Sequence, residues 1–491
     1  MTRVSIAALA LAVFAVVATA NSGGYRYGAS DQAFYLPAVA AELHPTLFPH
    51  DRELLGPHMR LWLGDSLIAD LARVTGASLP AVFLGIYGLT MILLAAGAVR
   101  LGRSLACDWW AIAVFLLLLT LRHRIAKTGA NSLEGYMHPR MLAFACGLFV
   151  FAEIARGRTL AGFALSGLAV VIHTPTGVWF AAAWAAAVVW RWRTHPRLAS
   201  AVLAAGLAGA LLVLVALRSQ LVPMNAEWLE VLREKDYLFS GEWPLYAWVI
   251  NLAYPVVIVA IYRRRVARGL VSAGESALVA ALLGLVIAFL MSVPLTQARI
   301  ALAVQIQINR VFWLLDAFTA LYVAWWLTAD RAARWSSRAR ATLLALVALV
   351  ACGRGFYVLR LEARRPLVQV GLPATPWNEA MRWLASQPDS WLVLADPQHA
   401  WKYGPSVRVA AWRDTVLEAS KDAALAMYDA DVAARVADRD RALGTFETLS
   451  VDDLRQLAVR YDIDVFVDRA TRSFPLRVLY RNGAFVIYDL R

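Results

Sequence analysis

Over the first 355 residues, long runs of apolar side chains alternate with short polar segments. A helix needs about 20 apolar residues to cross a bilayer, and many of these runs approach or reach that length. The segments predicted to cross are residues 4–20, 79–99, 109–121, 141–155, 160–173, 177–190, 201–217, 245–262, 277–293, 311–327 and 341–352. The pattern therefore predicts a mainly α, polytopic membrane helix bundle of about eleven spans.

Arginine clusters orient this bundle. They lie at residues 100–103, 156–158, 191–197, 263–268 and 331–340. Because cytoplasmic loops are enriched in Lys and Arg, these clusters place the N-terminus in the cytoplasm. Residues 21–78 then form a long outer loop, and residues 122–140 and 218–244 are also outside. Residues 18–20 resemble a signal-peptidase site, and cleavage there would leave residue 21 on the same side.

Residues 366–491 differ from the rest of the chain because charged residues become frequent. Residues 391–396 and 463–467 are typical of strands, and residues 451–461 have apolar positions at helical spacing. Residues 479–488 indicate a hairpin with an Asn-Gly turn. The sequence thus predicts a membrane domain over residues 1–355 and a small outer, periplasmic α/β domain over residues 366–491.

Composition supports a membrane protein and excludes other classes. Of the 491 residues, 60% are hydrophobic and 17% are charged, against about 25% charged in soluble proteins. The net charge of +13 does not indicate a nucleic-acid partner, because most arginines lie in short clusters between apolar runs. The three cysteines share no metal-binding spacing.

An acidic residue follows the first predicted span. Asp31 lies on the predicted outer face, in the string Gly-Ala-Ser-Asp-Gln-Ala-Phe-Tyr-Leu-Pro of residues 28–37. A carboxylate just outside the first span, on the outer face, is a candidate catalytic base. The alternative is a solvated loop acid or a helix N-cap, since Ser-Asp before an apolar stretch is a capping signal. Asp51 and Glu42 are weaker candidates in the same loop.

The second outer segment, residues 122–140, is rich in basic residues, although Lys and Arg are usually enriched in cytoplasmic loops. Cations such as Arg124, Lys127 and Arg140 suit phosphate oxygens at the membrane surface. Glu134 and His138 are four residues apart and would share a face if this piece is helical. The alternative is a flexible basic loop that touches lipid headgroups.

Three more ionisable residues lie near the predicted outer surface. His173 is at the tip of a helical hairpin, where it either packs in a turn or lines a site. Arg299 and Arg310 precede an inward helix and serve as phosphate ligands or as headgroup anchors. Residues 225–235 are expected to form an amphipathic helix that lies on the membrane, either as a structural element or as a lid.

Together these features resemble the GT-C glycosyltransferases, polytopic enzymes that transfer a sugar from a polyprenyl-phosphate donor on the outer face of the membrane. The resemblance covers nearly the whole chain, from the first span and its acidic loop to the outer α/β domain. Residues 28–37 are similar to the family's first-loop signature, Gly28-x-x-Asp31-Gln32-x-x-Tyr35-Leu36-Pro37. Three further strings resemble a bacterial branch of the superfamily, namely Leu47-Phe48-Pro49-x-Asp51, His138-Pro139-Arg140 and Arg310-Val311-Phe312-Trp313.

The resemblance implies a mechanism. Asp31 would deprotonate the acceptor, which attacks the anomeric carbon with inversion while the lipid phosphate leaves. Glu134 would orient the acceptor or hold a metal. The residues implied to bind the donor's phosphate or lipid are Arg140, Arg310, Arg124, Lys127, His138 and Tyr35, with Asp51, His173 and Arg299 as second-tier candidates.

The chain departs from the family pattern because its first loop has neither an Asp-x-Asp pair nor a tandem Asp-Glu. No cofactor is therefore assigned, and a divalent cation, Mg²⁺ or Mn²⁺, stays open, as do the sugar and the oligomeric state. The implied partners are a polyprenyl-phosphate sugar donor, membrane lipid and an acceptor glycan, lipid or protein, at a bacterial inner membrane. The alternative functions are a transporter or flippase and a non-catalytic membrane scaffold with an outer binding domain.

Overall fold

The computed structural model describes residues 3–61, 64–330 and 336–491. By its internal contacts the chain divides into two compact units. The first unit comprises Met1–Tyr25, Gly85–Pro223 and Asp236–Val368, and the second comprises Arg26–Leu84, Met224–Lys235 and Gln369–Arg491. The sequence predicted a membrane domain over residues 1–355 and an outer domain over residues 366–491. This assignment of the two segments to the membrane and to its outer side stays a prediction.

The predicted spans coincide with helices to within a few residues. The helices up to residue 356 are α1 (Arg3–Asn21), α2 (Gln32–Leu43), α3 (Arg52–Leu61), α4 (Gly64–Thr75), α5 (Leu79–Ser104), α6 (Trp109–Thr120), α7 (Pro139–Ala155), α8 (Thr159–Ile172), α9 (Thr174–Trp190), α10 (Pro196–Ala216), α11 (Ala226–Val231), α12 (Leu245–Ala267), α13 (Ala273–Gln297), α14 (Ala301–Gln305), α15 (Val311–Trp325) and α16 (Ser337–Phe356). Arg331 and Arg334 of the last arginine cluster lie outside the described residues.

Within the described residues, six helical segments are long and apolar enough to cross a membrane: Leu79–Ser104, Pro196–Ala216, Leu245–Ala267, Ala273–Gln297, Ala301–Asp330 and Ser337–Glu362. The last of these is longer than the sequence pattern indicated, because α16 continues as a π-helical turn to Glu362. The composition and these helices fit a multi-pass membrane protein. The total of eleven crossings and their direction stay predictions.

Local sequence explains where the first unit's helices turn. α8 ends at Ile172 and α9 begins at Thr174, with Pro175 in its first turn, where a missing N–H costs nothing. A Cβ on Gly177 would lie 2.3 Å from the backbone nitrogen of Val170. The hairpin predicted around His173 is therefore present, and a glycine is needed for its two arms to meet.

α7 forms much of the core of the first unit and is buried along most of its length. The ring of Phe144 stacks on Trp313 of α15 at 4.1 Å. A Cβ on Gly147 would lie 2.0 Å from the ring of Phe180 in α9. Close packing of this kind fixes α7 against α9 and α15.

A buried ion pair joins three other helices of the first unit. Arg265 of α12 donates to both carboxylate oxygens of Glu275 in α13, at 2.7 and 3.0 Å. The hydroxyl of Tyr322 in α15 donates to the same carboxylate at 2.7 Å. Because each polar group has a partner, this buried cluster avoids the cost of an isolated charge.

The remaining helices belong to the second unit: α17 (Pro376–Ala385), α18 (His399–Lys402), α19 (Val407–Ala410), α20 (Ala419–Ala426), α21 (Ala430–Leu443) and α22 (Val451–Tyr461). The strands of the chain are β1 (Tyr25–Arg26), β2 (Arg124–Ile125), β3 (Ala130–Asn131), β4 (Val368–Gln369), β5 (Leu392–Leu394), β6 (Asp414–Thr415), β7 (Val465–Arg469), β8 (Val478–Arg481) and β9 (Phe485–Asp489).

Residues 369–491, all of them described, contain a five-stranded mixed sheet in the order β6-β5-β7-β9-β8. β5 is parallel to β6 and β7, and β9 is antiparallel to β7 and β8. The helix predicted at residues 451–461 and the hairpin with its Asn-Gly turn are both observed. Trp377 and Met381 of α17 pack on this sheet with Val393, Val465 and Ile487.

The expected membrane-surface helix at residues 225–235 is shorter and is packed differently. α11 covers six residues, and its Trp228 is buried and donates from Nε1 to the carbonyl of Ala426 at 2.7 Å. The prediction of a helix lying on the membrane was wrong, because the apolar face of this segment packs against α20 and α21 within the second unit.

Candidate active site

The sequence-predicted site residues are distributed over both units, and the units are described separately. Asp31, Tyr35 and Asp51 belong to the second unit. The first unit holds the others, which are Arg124, Lys127, Glu134, His138, Arg140, His173, Arg299 and Arg310.

Asp31 occupies the N-cap position of α2, but its side chain makes no capping hydrogen bond. Its Oδ1 instead accepts from Nζ of Lys421 at 2.7 Å, and the same ammonium lies 3.4 Å from the hydroxyl of Ser30. The Asp31 side chain is 29% exposed and that of Lys421 is 18% exposed. Asp31 is thus a partly exposed carboxylate in an ion pair, and the capping alternative does not describe it.

A second lysine lies near this pair. Nζ of Lys235 donates to the carbonyl of Ser420 at 2.9 Å. Burial, followed by repulsion from the nearby Lys421 ammonium, lowers the pKa of Lys235. Asp31 therefore lies in a locally cationic surrounding. Sequence reasoning missed both lysines, since Lys421 is 390 residues from Asp31.

The first-loop signature builds the start of α2. Gly28 has φ +75°, a conformation that favours glycine, and its N–H donates to Oε1 of Gln32 at 2.6 Å. Gln32 and Tyr35 are buried, and the ring of Tyr35 lies 4.5 Å from that of Phe34. The glycine and glutamine of the signature thus shape the turn that carries Asp31.

Asp51 lies in the interior of the second unit. It is fully buried, and its carboxylate accepts from Nε of Arg408 at 2.7 Å and from Nη2 of Arg435 at 2.5 Å. Although burial raises the pKa of Asp51, these two guanidinium groups bring it below its ordinary value. This environment supports a structural role for Asp51.

Arg408 extends the buried network. Its two Nη atoms donate to both carboxylate oxygens of Asp422, at 2.6 and 3.1 Å, and Nη1 lies 3.6 Å from Glu418. Burial raises the pKa of Glu418 to about 7. These acids and arginines form the Arg408 network, which comprises Asp51, Arg408, Glu418, Asp422 and Arg435.

In the first unit, Glu134 and Arg140 form a buried pair. Nη2 of Arg140 donates to Oε1 of Glu134 at 2.7 Å, and Nδ2 of Asn131 donates to the same carboxylate at 3.1 and 3.2 Å. Arg122 approaches its other oxygen to 3.9 Å. Glu134 and Arg140 are only 3% and 4% exposed. These four residues are called the Glu134 cluster.

Turn geometry positions this cluster. β2 and β3 pair as a short hairpin, with Arg124 opposite Asn131. A Cβ on Gly135 would lie 2.7 Å from the carbonyl oxygens of Ser22 and Gly24. The loop is therefore pressed against the chain that follows α1, so the alternative of a flexible basic loop does not describe the part that carries Glu134.

His138 is the N-cap residue of α7. Its Nδ1 accepts from the backbone N–H of Arg140 at 3.1 Å. The piece from Glu134 to His138 is not helical, so the shared helical face does not form. Pro139 begins α7 and holds His138 extended, at φ −134° and ψ 124°, so a helix cannot continue from Glu134 through His138. The ring of His138 instead lies 6.1 Å from that of His173.

The other predicted cations have varied surroundings. Lys127 is paired with Asp236, and Arg299 is paired with Glu242 while its guanidinium lies 4.2 Å from the ring of Phe239. Arg124 is exposed in β2, and Arg310 is half-buried directly before α15. The structure thus brings Glu134, Arg140, His138 and His173 together, while Arg299 pairs with Glu242 and Arg124 lies opposite Asn131 with its side chain exposed.

The polar contacts of Arg354 and His123 in this region were not predicted. Arg354 of α16 donates to Oδ1 of Asn21 at 2.8 Å and to the carbonyl of Arg122 at 2.7 Å. Nε2 of His123 lies 3.1 Å from Oδ1 of Asp316 in α15, and that hydrogen bond raises the pKa of His123. Their partners come from distant helices, and no local pattern in the sequence marks them.

The residues around Glu134 do not fit a divalent cation. Both of its oxygens accept hydrogen bonds from Asn131, and one also accepts from Arg140. Nowhere among residues 3–61, 64–330 and 336–491 do three His, Cys, Asp or Glu side chains gather as metal ligands. No chemical step is therefore assigned to a metal at Glu134.

No family model matches the chain, and no curated protein matches it in sequence. Solved structures do match. The fold is similar to that of the Archaeoglobus fulgidus oligosaccharyltransferase in its apo form, with a TM-score of 0.51 and 13% identity, over 94% of this chain and 69% of that chain. Its complex with Zn and sulfate has a TM-score of 0.47, at 13% identity over 94% and 68%.

The archaeal oligosaccharyltransferase AglB from the same organism, in complex with an inhibitory peptide and a dolichol-phosphate, has a TM-score of 0.46 at 14% identity, over 94% of this chain and 69% of that chain. AglB is a glycosyltransferase of the GT-C superfamily. The likeness to the apo structure, with its TM-score of 0.51, agrees with the GT-C resemblance at the level of the fold alone.

Proposed function

We propose that this chain is a membrane glycosyltransferase that moves a sugar from a polyprenyl-phosphate-linked donor to an acceptor on the outer face of a bacterial inner membrane. The observation that carries the proposal is the position of Asp31. It is a partly exposed, ion-paired carboxylate at the start of the first helix after α1, in a chain with an oligosaccharyltransferase fold. The first-loop signature that resembles GT-C enzymes builds the turn that holds it.

In this proposal Asp31 is the general base. Its carboxylate takes the proton of the acceptor nucleophile, whose lone pair attacks the anomeric carbon. The bond between that carbon and the phosphate oxygen breaks with inversion, and the phosphate leaves on its lipid. General-base catalysis contributes about 10²–10⁴-fold to a rate. Lys421 is the positioning residue, because its ammonium holds the carboxylate from one side.

The developing charge on the leaving phosphate needs cationic stabilisation. In the first unit Arg124 and Arg310 are more exposed than Arg140, and their predicted role as phosphate ligands stays a prediction that single variants test. Arg140 is buried against Glu134, which supports a role in holding that carboxylate. The predicted roles of Glu134, Lys127, His138, Tyr35, His173 and Arg299 stay predictions, each of which a single variant tests.

The test is a transfer assay with the full-length protein in lipid nanodiscs, a panel of polyprenyl-phosphate sugars and a bacterial envelope extract as acceptor. Release of polyprenyl phosphate is measured. We expect Asp31→Asn to lower the rate about 100-fold or more. Asp70→Asn is the matched control, because Asp70 is an exposed acid of the same loop, paired only at the surface with Arg73.

Full activity of Asp31→Asn would remove Asp31 as the base. Absence of release from the whole panel, with a protein that is folded by its thermal unfolding, would favour the transporter or the scaffold. Parallel reactions with EDTA and with added Mg²⁺ or Mn²⁺ decide whether a cation takes part in the reaction.

A further inference from the structure

A cavity of about 1360 Å³ lies in the first unit between α1, α5, α6 and α7. Its volume exceeds the about 300–1,000 Å³ of common small-molecule pockets. Apolar side chains from all four helices line most of it, among them Ala10, Ala95, Val99, Ile112, Leu116 and Phe149. Since these helices coincide with predicted spans, the cavity has the walls of a site for hydrocarbon chains.

One end of this cavity is cationic. Arg100 and Arg103 come from the last turns of α5, and Arg156 directly follows α7. The guanidinium of Arg103 lies 5.2 Å from the ring of Trp109, which is 63% exposed at the start of α6. Arginine beside an exposed tryptophan is typical of the boundary between hydrocarbon and headgroups.

The charge at this end is only partly balanced. Nε of Arg100 donates to Oε1 of Glu153 at 2.7 Å, and Arg158 lies 3.9 Å from the same carboxylate. Within the part of the chain that the structure describes, neither Arg103 nor Arg156 forms an ion pair with an acidic side chain. An anion at the cavity mouth would therefore meet two uncompensated guanidinium groups.

We propose that this cavity binds one anionic phospholipid, with its acyl chains between the four helices and its phosphate at Arg103 and Arg156. Guanidinium groups bind phosphate oxygens through paired, charge-assisted hydrogen bonds. The arginines lie on the predicted cytoplasmic side, where the membrane leaflet is rich in anionic lipid. The site is independent of the proposed glycosyl transfer and of Asp31.

The test is native mass spectrometry of the full-length protein, purified in mild detergent and incubated with phosphatidylglycerol or phosphatidylcholine. We expect the protein to retain one phosphatidylglycerol and to retain phosphatidylcholine poorly. The double variant Arg103→Ala/Arg156→Ala should retain about tenfold less phosphatidylglycerol. Arg193→Ala/Arg197→Ala is the matched control, since both arginines are exposed and lie outside the cavity, on the same predicted side.

A second variant tests the apolar part. Ala113→Phe places a ring in the cavity wall and should lower retention without removing a charge. Thermal unfolding identifies any variant that does not fold. Equal retention of the two lipids, or unchanged retention in Arg103→Ala/Arg156→Ala, would overturn the proposal. Displacement of the phospholipid by equimolar polyprenyl phosphate would also overturn the proposal. A third contradicting result would be a protein that retains no lipid and forms a dimer that Ala113→Phe disrupts.

Discussion

Nη2 of Arg140 donates to Oε1 of Glu134 at 2.7 Å in the interior of the first unit, where both side chains are almost fully buried. Removing one member of such a pair leaves an uncompensated buried charge, which costs about 3–5 kcal/mol. The contact therefore stabilises the loop that precedes α7, whether or not the Glu134 carboxylate also takes part in a reaction.

We expect Glu134→Leu to lower the free energy of unfolding by about 3–5 kcal/mol, and Glu134→Leu/Arg140→Met to recover most of this loss. Denaturant unfolding in detergent measures the double-mutant cycle. The exposed pair Asp70 and Arg73, replaced by alanine in the same way, should show a coupling of at most about 1 kcal/mol. An additive cycle at Glu134 and Arg140 would contradict the contact.

The His123 pair predicts a pH dependence. Because the hydrogen bond to Asp316 raises the pKa of His123, its stabilisation is complete below the ordinary pKa of about 6.5 and is lost as pH rises through the folded-state value. His123→Gln should therefore lower the unfolding temperature at a pH of about 6 and have a smaller effect at about 8.5. His195→Gln, which changes an exposed ring, is the control.

Glu418 predicts a pH effect in the second unit. Burial raises its pKa to about 7, so the folded state loses stability as pH rises from about 4.5, where the unfolded carboxyl ionises, to about 7. Glu418→Gln removes this loss and should raise the unfolding temperature more at a pH of about 8 than at about 5. Glu379→Gln, at an exposed position of α17, is the control.

Two helical glycines form a matched pair for packing. Gly147→Ala brings a methyl group to 2.0 Å from the ring of Phe180, so we expect a loss of about 1–3 kcal/mol. Gly167→Ala in α8 meets no atom within 4 Å and should be neutral or stabilise by about 0.5–1 kcal/mol. Equal effects of the two variants on thermal unfolding would contradict the packing of α7 against α9.

The sequence predicted the helices well because each carries its own signals. Apolar runs mark the spans, Pro175 and Gly177 mark the hairpin, and an Asn-Gly turn marks the last two strands. Pro139 also set the start of α7, but its effect on His138 was overlooked, and the expected helical face was lost.

The surroundings of the candidate site could not be predicted in the same way. The partners of Asp31 and Asp51 are Lys421 and Arg408, which are 390 and 357 residues away in the chain. The sequence around each of these residues does not indicate which distant residue it contacts. The wrong prediction for Trp228 has the same cause. The sequence pattern of an apolar helix face is the same whether that face contacts lipid or packs against another helix, here α20.

The Arg408 network also sets an order of events during biosynthesis. Asp51 is made 357 residues before Arg408, an interval on the order of tens of seconds at about 5–20 residues per second. Until then the Asp51 carboxylate has neither of its guanidinium partners, Arg408 and Arg435, so the second unit becomes complete only when the last quarter of the chain is made. A chain that ended before residue 408 would therefore lack the guanidinium group that holds the buried Asp51 carboxylate.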